Sequence, residues 1–178
     1  MNLPNRLTLL RVAMIPFFLV FYLIPIFGPA DHWIALAIFC LASLTNLLDG
    51  RIARSRNLVT NFGKLMDPLA DKLLVCAALV AMTAVGRLNV WVVVVIVSRE
   101  FLVSGLRELA LERHVVIAAS GWGKLKTVTQ MVMVIYILLD LTGWPYDVIG
   151  VALVTLATLF TILSAADYIW KNRELLKG

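Results

Sequence analysis

LLVCAALVAMTAVGRLNVWVVVVIVS, residues 73–98, decides the fold. Its single charge, Arg87, sits beside Gly86, and the flanking cores Leu73–Gly86 and Leu88–Ser98 carry none. Two apolar runs broken by a Gly-centred turn signal read as a pair of consecutive helices. Each core falls short of the roughly 20 apolar residues that a membrane crossing needs. Helix-like sequence extends each of them at its far end and carries charge: Asp67, Asp71 and Lys72 before the first, Arg99 and Glu100 after the second. Lipid does not tolerate such charges, whereas a water-filled cavity does. A hairpin that crosses and returns brings both charged extensions to one membrane face, so acids and bases are expected at a common polar cavity.

Working outward from this hairpin, the same criteria give six windows: about 7–27, 33–54, 64–86, 89–111, 122–141 and 147–170. The breaks between them are Phe27-Gly28-Pro29, Asn57–Gly63, Gly86-Arg87, Glu112–Gly121 and Thr142–Pro145. Composition agrees, because 61% of the 178 residues are hydrophobic and 15% charged, against roughly 45–50% and about 25% in soluble domains. A folded domain of this size still exposes about 30% of its unfolded surface, so the excess excludes a soluble monomer. Residues 1–178 are expected to form one all-α membrane domain of six transmembrane helices, with no second domain.

Lys and Arg are retained on the cytoplasmic side of a membrane. With the N-terminus inside, the inner stretches gather Arg6, Arg11, Arg51, Arg54, Arg56, Lys64, Arg113, Lys124, Lys126, Lys171, Arg173 and Lys177, and the outer connections hold only Arg87. Both termini and the polar cavity are therefore expected to face the cytoplasm, in a multi-pass protein of the cell's inner (cytoplasmic) membrane. Val12–Phe27 follows two arginines as a signal core does, but it is long and further apolar segments follow, so it reads as the first span. Cys40 and Cys76 lie inside apolar runs and read as small buried thiols, with no disulfide. Trp33, Trp91, Trp122, Trp144 and Tyr168 lie near segment ends, where amphipathic rings favour the interface. Asp167, inside the sixth window, has no motif around it.

The acidic group joins the second and third windows. On a helix, Asn46, Asp49, Gly50 and Ala53 share one stripe, as do Gly63, Asp67 and Asp71. Carboxylates beside residues with little or no side chain leave room for a bulky anion approaching through a cation. Hard cations take oxygen ligands, and Mg²⁺ is commonly held by a few carboxylates plus substrate phosphates. Competing structural readings are a helix cap at Asp67 followed by Pro68 at the first helical position, a local Asp71-Lys72 pair, and solvated interfacial carboxylates at Asp49 and Asp71.

These residues resemble the signature of the CDP-alcohol phosphotransferase family, D-x-x-D-G-x-x-A-R-x8-G-x3-D-x3-D. Seven of its eight fixed positions match between residues 46 and 71: Asp49, Gly50, Ala53, Arg54, Gly63, Asp67 and Asp71. The first acid of the pattern falls on Asn46, which keeps an acceptor oxygen and loses the charge. The resemblance implies two divalent cations, Mg²⁺ or Mn²⁺, that grip the diphosphate of a CDP-linked donor. Asp49, Asp67 and Asp71 would then be metal ligands, Asn46 a weakened one, and Asp71 also the general base. Gly50, Ala53, Arg54 and Gly63 would shape and charge the nucleotide pocket. A chain with Asn46 is expected to be impaired in metal binding and turnover.

The basic group closes the fourth window and opens the fifth. Arg99 and Arg107 are eight apart, near one helix face, and Arg99 follows an apolar run that demands a partner or a ligand for it. With Lys124 and Lys126 they form a cluster suited to a phosphate-bearing acceptor; the alternative is ordinary anchoring at the inner face or, for Arg99, pairing with a nearby Glu. The Arg-Glu, Leu-Arg-Glu and Gly-Lys-x-Lys-Thr strings and the opening Asn2-Leu3-Pro4-Asn5-Arg6-Leu7-Thr8-Leu9-Leu10-Arg11 are similar to those of bacterial family members that use glycerol 3-phosphate. The resemblance implies transfer of a phosphatidyl group from CDP-diacylglycerol to glycerol 3-phosphate, giving phosphatidylglycerol phosphate and CMP. It also implies a homodimer among membrane lipids, and no nucleic-acid partner. Alternatives within the chemistry are serine, inositol phosphate or a lipid hydroxyl as acceptor. Outside it stand a CDP-lipid-binding pseudoenzyme and a small cation or proton transporter, the latter disfavoured because the charges gather at one face.

Overall fold

A computed structural model describes residues 3–55, 61–112, 117 and 120–173, with side chains described at 7–45, 66, 68–112, 117 and 120–173. Among the described residues the chain is all-helical: α1 Leu3–Leu23, α2 Ala30–Ser55, α3 Asn61–Ala84, α4 Val90–Glu112, α5 Gly121–Leu138 and α6 Tyr146–Lys171. The six windows are six helices, each ending within about one helical turn of its expected place.

The turn at the centre of residues 73–98 shows why. The Arg87 N–H reaches back to the Met82 carbonyl at 2.9 Å and that of Gly86 to Thr83 at 3.0 Å, the paired bonds that close a helix around a left-handed residue. Gly86 supplies that conformation at φ 74°. Two residues on, the Asn89 side-chain oxygen accepts the Trp91 N–H at 2.9 Å and starts α4. Asp67 does not cap a helix: α3 begins at Asn61, so Asp67 and Pro68 lie inside it.

The chain forms two compact units, residues 1–87 with 138–140, and residues 88–137 with 141–178. In the first, α1 lies against both α2 and α3. Its buried stripe is Thr8, Arg11, Ile15, Phe18 and Tyr22, that of α2 is Asp31, Ala35, Phe39 and Ala42, and that of α3 includes Ala70, Leu74 and Ala78. Phe18 stacks on Tyr22 and tilts against Phe39, with ring centroids 5.6 and 6.0 Å apart. The α1–α2 turn is tied by the buried Asp31 carboxylate, which accepts the N–H groups of Ile26 and Phe27 at 2.8 and 2.9 Å. Beside it, Asp140 pairs with Arg87 and lies 3.6 Å from His32 Nε2.

In the second unit α4 packs on α6. The buried stripes are Val93, Ile96, Arg99, Val103, Leu106 and Ala110 on α4, and Ala157, Thr161, Ser164 and Tyr168 on α6. Both repeat every three or four residues, as a helix with one covered face must.

Among the described residues only α6 is long and apolar enough to cross a membrane by length and composition alone, and 17% of its apolar window is buried. Large apolar side chains such as Val148, Val151, Leu159 and Ile162 point away from the protein interior, where they require an apolar surrounding. Leu7–Leu23 and Ala30–Thr45 are shorter apolar stretches. The other apolar cores are cut short by their charged ends, as residues 73–98 are. Two expectations are corrected here. Cys40 is exposed on α2 and Cys76 half-buried, because neither falls on a covered stripe, and neither is in a disulfide. Tyr168 is not an interfacial ring: it is 2% exposed, whereas Trp170, two residues on and across the helix, is 73% exposed.

Candidate active site

In the first unit, the three last turns of α2 carry Asn46, Asp49, Gly50, Ala53 and Arg54, and the three first turns of α3 carry Gly63, Asp67 and Asp71. Helix phase relates them to the core. From Asp31, Ala35, Phe39 and Ala42, the next steps of four, three and four reach positions 46, 49 and 53; from Ala70, steps back of three and four reach 67 and 63. The motif therefore continues the stripes by which α2 and α3 are covered. Asp71 is half-buried one position from Ala70, and the side chains at 46, 49, 50, 53, 54, 63 and 67 lie outside the described residues. No cluster of three His, Cys, Asp or Glu occurs among the described residues. The donor chemistry nonetheless fits a hard divalent cation: two oxygen-bearing positions one turn apart on each of two helices, with nitrogen and sulfur donors absent from the set.

A residue read from sequence only as an inner-face cation lies beside this motif. Arg11 is fully buried on α1, and its Nε donates to the Ala42 carbonyl at 3.2 Å. That carbonyl, one turn before Asn46, also accepts the Thr45 hydroxyl at 2.7 Å. Arg11 thus fastens α1 to α2 at the threshold of the acidic group and sets a permanent positive charge there. Its signal in the sequence is a polar pair, Thr8 and Arg11, three apart on the covered face of an apolar helix.

In the second unit the structure brings three of the four predicted cations together. Arg99 is 9% exposed and is held from two helices: Nη1 lies 3.1 Å from Glu100 Oε1, and Nη2 donates to the Ser164 hydroxyl. Gly123, in the first turn of α5, leaves its Cα side open against this guanidinium, where a Cβ would sit 3.5 Å from Nη2. Arg107, two turns along α4, donates to the Tyr168 hydroxyl at 2.6 Å. Both guanidiniums lie over the Tyr168 ring, 5.8 and 5.5 Å from its centroid, within cation–π range. Lys126 is 3% exposed and pairs with the same Glu100 Oε1 that meets Arg99. Lys124, two residues away and so on another face of α5, is exposed.

Glu100 is the nearby Glu that the sequence offered as a partner for Arg99, whereas Ser164 and Tyr168, which also position this cluster, were not singled out for it by the sequence alone. The signal for the two on α6 was the spacing of Thr161, Ser164 and Tyr168, a polar line three and four residues apart on a mostly apolar helix. Asp167, next to this line, pairs with Lys171 one turn on, at 2.7 Å.

Comparison with known proteins matches residues 1–163 to the family model for CDP-alcohol phosphatidyltransferase. The chain is 42% identical to the CDP-diacylglycerol–glycerol-3-phosphate 3-phosphatidyltransferase of Bacillus subtilis, over 99% of this chain and 97% of that protein. It is 42% identical to a probable phosphatidylglycerophosphate synthase of Mycobacterium tuberculosis, over 94% of this chain and 80% of that one. With the Rickettsia bellii CDP-diacylglycerol–glycerol-3-phosphate 3-phosphatidyltransferase it shares 39% identity over 94% of this chain and 93% of its relative. With the acidic motif on α2 and α3 and a family match over nine-tenths of its length, the chain belongs to the CDP-alcohol phosphatidyltransferase family.

Proposed function

We propose that this chain transfers the phosphatidyl group of CDP-diacylglycerol to glycerol 3-phosphate, forming phosphatidylglycerol phosphate and CMP. The observation that carries this reading is 42% identity over 99% of the chain with an enzyme named for that reaction. The chain works as one six-span domain in the cytoplasmic membrane and as a homodimer, with its termini and site on the cytoplasmic side. The exposed apolar side of α6 supports the membrane setting, and the absence of Lys and Arg other than Arg87 from the outer connections supports the orientation.

Asn46, Asp49, Asp67 and Asp71 are the residues that would hold two divalent cations, Mg²⁺ or Mn²⁺, which when bound neutralise the donor's diphosphate and make CMP a better leaving group. Gly50, Ala53 and Gly63 give the nucleotide its space, and Arg54 gives it charge. Arg99, Arg107, Lys124 and Lys126 hold the acceptor's phosphate, the two arginines through planar forks that match its oxygens. Asp71 takes the proton from the sn-1 hydroxyl of glycerol 3-phosphate. That oxygen forms a bond to the lipid-bearing phosphorus, and the bond from this phosphorus to the bridging oxygen breaks, its electron pair leaving with CMP. Positioning and charge stabilisation supply most of the acceleration, as in other phosphoryl transfers.

Competing radiolabelled glycerol 3-phosphate, serine and inositol phosphate against CDP-diacylglycerol on purified protein tests the acceptor. Label entering lipid mainly from serine or inositol phosphate refutes it. Asn46 favours a second reading, a protein that binds CDP-lipid with little turnover. Asn46→Asp is expected to raise the metal-dependent rate, and equal rates in the two proteins refute the impairment. Nucleotide affinity with no activity even after that change supports the binding-only reading.

A further inference from the structure

A single carboxylate oxygen occupies the point where the buried cations of the second unit converge. Glu100 Oε1 meets Arg99 Nη1 at 3.1 Å and also meets Lys126 Nζ. Both cations are more than nine-tenths buried, while the Glu100 side chain keeps 19% of its surface in contact with solvent. An Arg and a Lys so buried require a counter-charge whether or not a ligand is bound. Glu100 answers that requirement only in part, because Arg99 Nε is buried and has no hydrogen-bond partner among the described residues. The shared carboxylate oxygen meets one end of the guanidinium and the ammonium, and leaves the Nε donor unserved. A phosphate monoester, with three terminal oxygens and a greater charge, serves both cations and that donor.

We propose that Glu100 is a resident counter-ion that stands in for the phosphate of the acceptor and is displaced when a phosphate monoester binds. This rests on the assignment of Arg99 and Lys126 to the acceptor in the proposed function. Binding there is an exchange of anions: the incoming phosphate takes Arg99 and Lys126, gains the vacant Nε donor, and releases the partly exposed Glu100 carboxylate towards water. Glu100 sets specificity through this competition. A monoanion replaces one charge by one and gains little, whereas a phosphate monoester brings both the second charge and the extra oxygens.

The test is Glu100→Gln, which keeps the side chain's size and removes its charge. Affinities of the detergent-purified protein for glycerol 3-phosphate and for inorganic phosphate are measured by calorimetry, with thermal unfolding recorded with and without each. Without its counter-ion the ligand-free variant is expected to melt earlier than the original protein. It is also expected to bind both phosphates about threefold to tenfold more tightly, so that each ligand raises its melting temperature by more. Equal or weaker binding of both by the variant overturns the proposal and makes Glu100 a fixed brace for Arg99 and Lys126; if Arg99→Ala still weakens glycerol 3-phosphate binding, the acceptor assignment survives that result. Tighter binding of inorganic phosphate without any of glycerol 3-phosphate supports the counter-ion role and refutes the acceptor assignment. Binding of neither ligand to either protein overturns both. Should Glu100→Gln fail to fold, Glu100→Asp draws the carboxylate back from Lys126 by one carbon; tighter phosphate binding in that variant supports the exchange, and unchanged or weaker binding overturns it.

Discussion

Replacing Tyr168 by Phe deletes one oxygen from the polar line of α6 and leaves the ring under both arginines. The lost contact is the 2.6 Å bond from Arg107 Nη2 to the Tyr168 hydroxyl. Hydrogen bonds to charged groups contribute about 1.5–3 kcal/mol when shielded, but Arg107 is exposed at its α4 position, and solvent screening brings the figure to about 1 kcal/mol. At about 1.4 kcal/mol per factor of ten, this is about a fivefold loss. The ring contacts at 5.8 and 5.5 Å survive in the variant, so Arg99 keeps its place and Arg107 swings free at one end. The expected outcome is a KM for glycerol 3-phosphate raised about fivefold, with kcat and the KM for CDP-diacylglycerol little changed. Tyr168→Leu also removes the ring, whose cation–π contribution of about 0.5–2 kcal/mol per guanidinium carries the rise in acceptor KM beyond tenfold. Steady-state kinetics with each substrate varied in turn is the assay. An unaltered acceptor KM in Tyr168→Phe refutes the positioning role, and a parallel fall in all three parameters shows a general loss of structure instead.

Further outcomes are expected at Asp71, Arg11 and Gly86. Asp71→Asn is expected to lower turnover about 10²- to 10⁴-fold, the usual worth of a general base, and a chelator to abolish the original protein's activity; full activity in either assay refutes the mechanism. Arg11→Ala removes a fully buried side chain and its bond to Ala42, and should destabilise the protein by about 3 kcal/mol in thermal unfolding; an unshifted midpoint means that Arg11 does not fasten α1 to α2. Gly86→Ala forces a Cβ into φ 74° at a cost of about 1–2 kcal/mol, again read as a lower unfolding midpoint.

The helices were legible because their signals are local. Each apolar window needs only its own composition, and each break is written in residues such as Gly86-Arg87 and Asn89 that act within five positions of themselves. The acidic motif was legible for the same reason, since its spacings of three and four fix a stripe on whichever helix carries it. The contacts of the basic group were hidden because they join residues 61 and 65 positions apart, Arg107 to Tyr168 and Arg99 to Ser164. Periodicity tells which face of α6 is covered and leaves open which helix covers it. Tyr168 shows the difficulty well. Its place near a segment end suited an interfacial ring, and only the packing of α4 on α6 separates it from Trp170, two residues on and facing outward.

The described buried charges share a further property that bears on how such a chain tolerates a membrane. Asp31 is met by two backbone N–H groups, Arg11 by a carbonyl, and Arg99 and Lys126 by Glu100. Each contact lies within one unit, so each unit meets its own buried charges before any substrate arrives, the first with backbone dipoles and the second with a carboxylate. A site that is stable when empty has to be opened by its ligand, and a doubly charged phosphate is well suited to do so where a single carboxylate already stands. Asn46 alters this balance in the acidic motif: a neutral amide stands where the family pattern has an acid, which is expected to lower the repulsion among the motif's carboxylates in the empty state while weakening the hold on a cation. The substitution proposed to impair turnover is therefore expected to lower the repulsion within the acidic group, and stability and activity should move in opposite directions when the acid is restored.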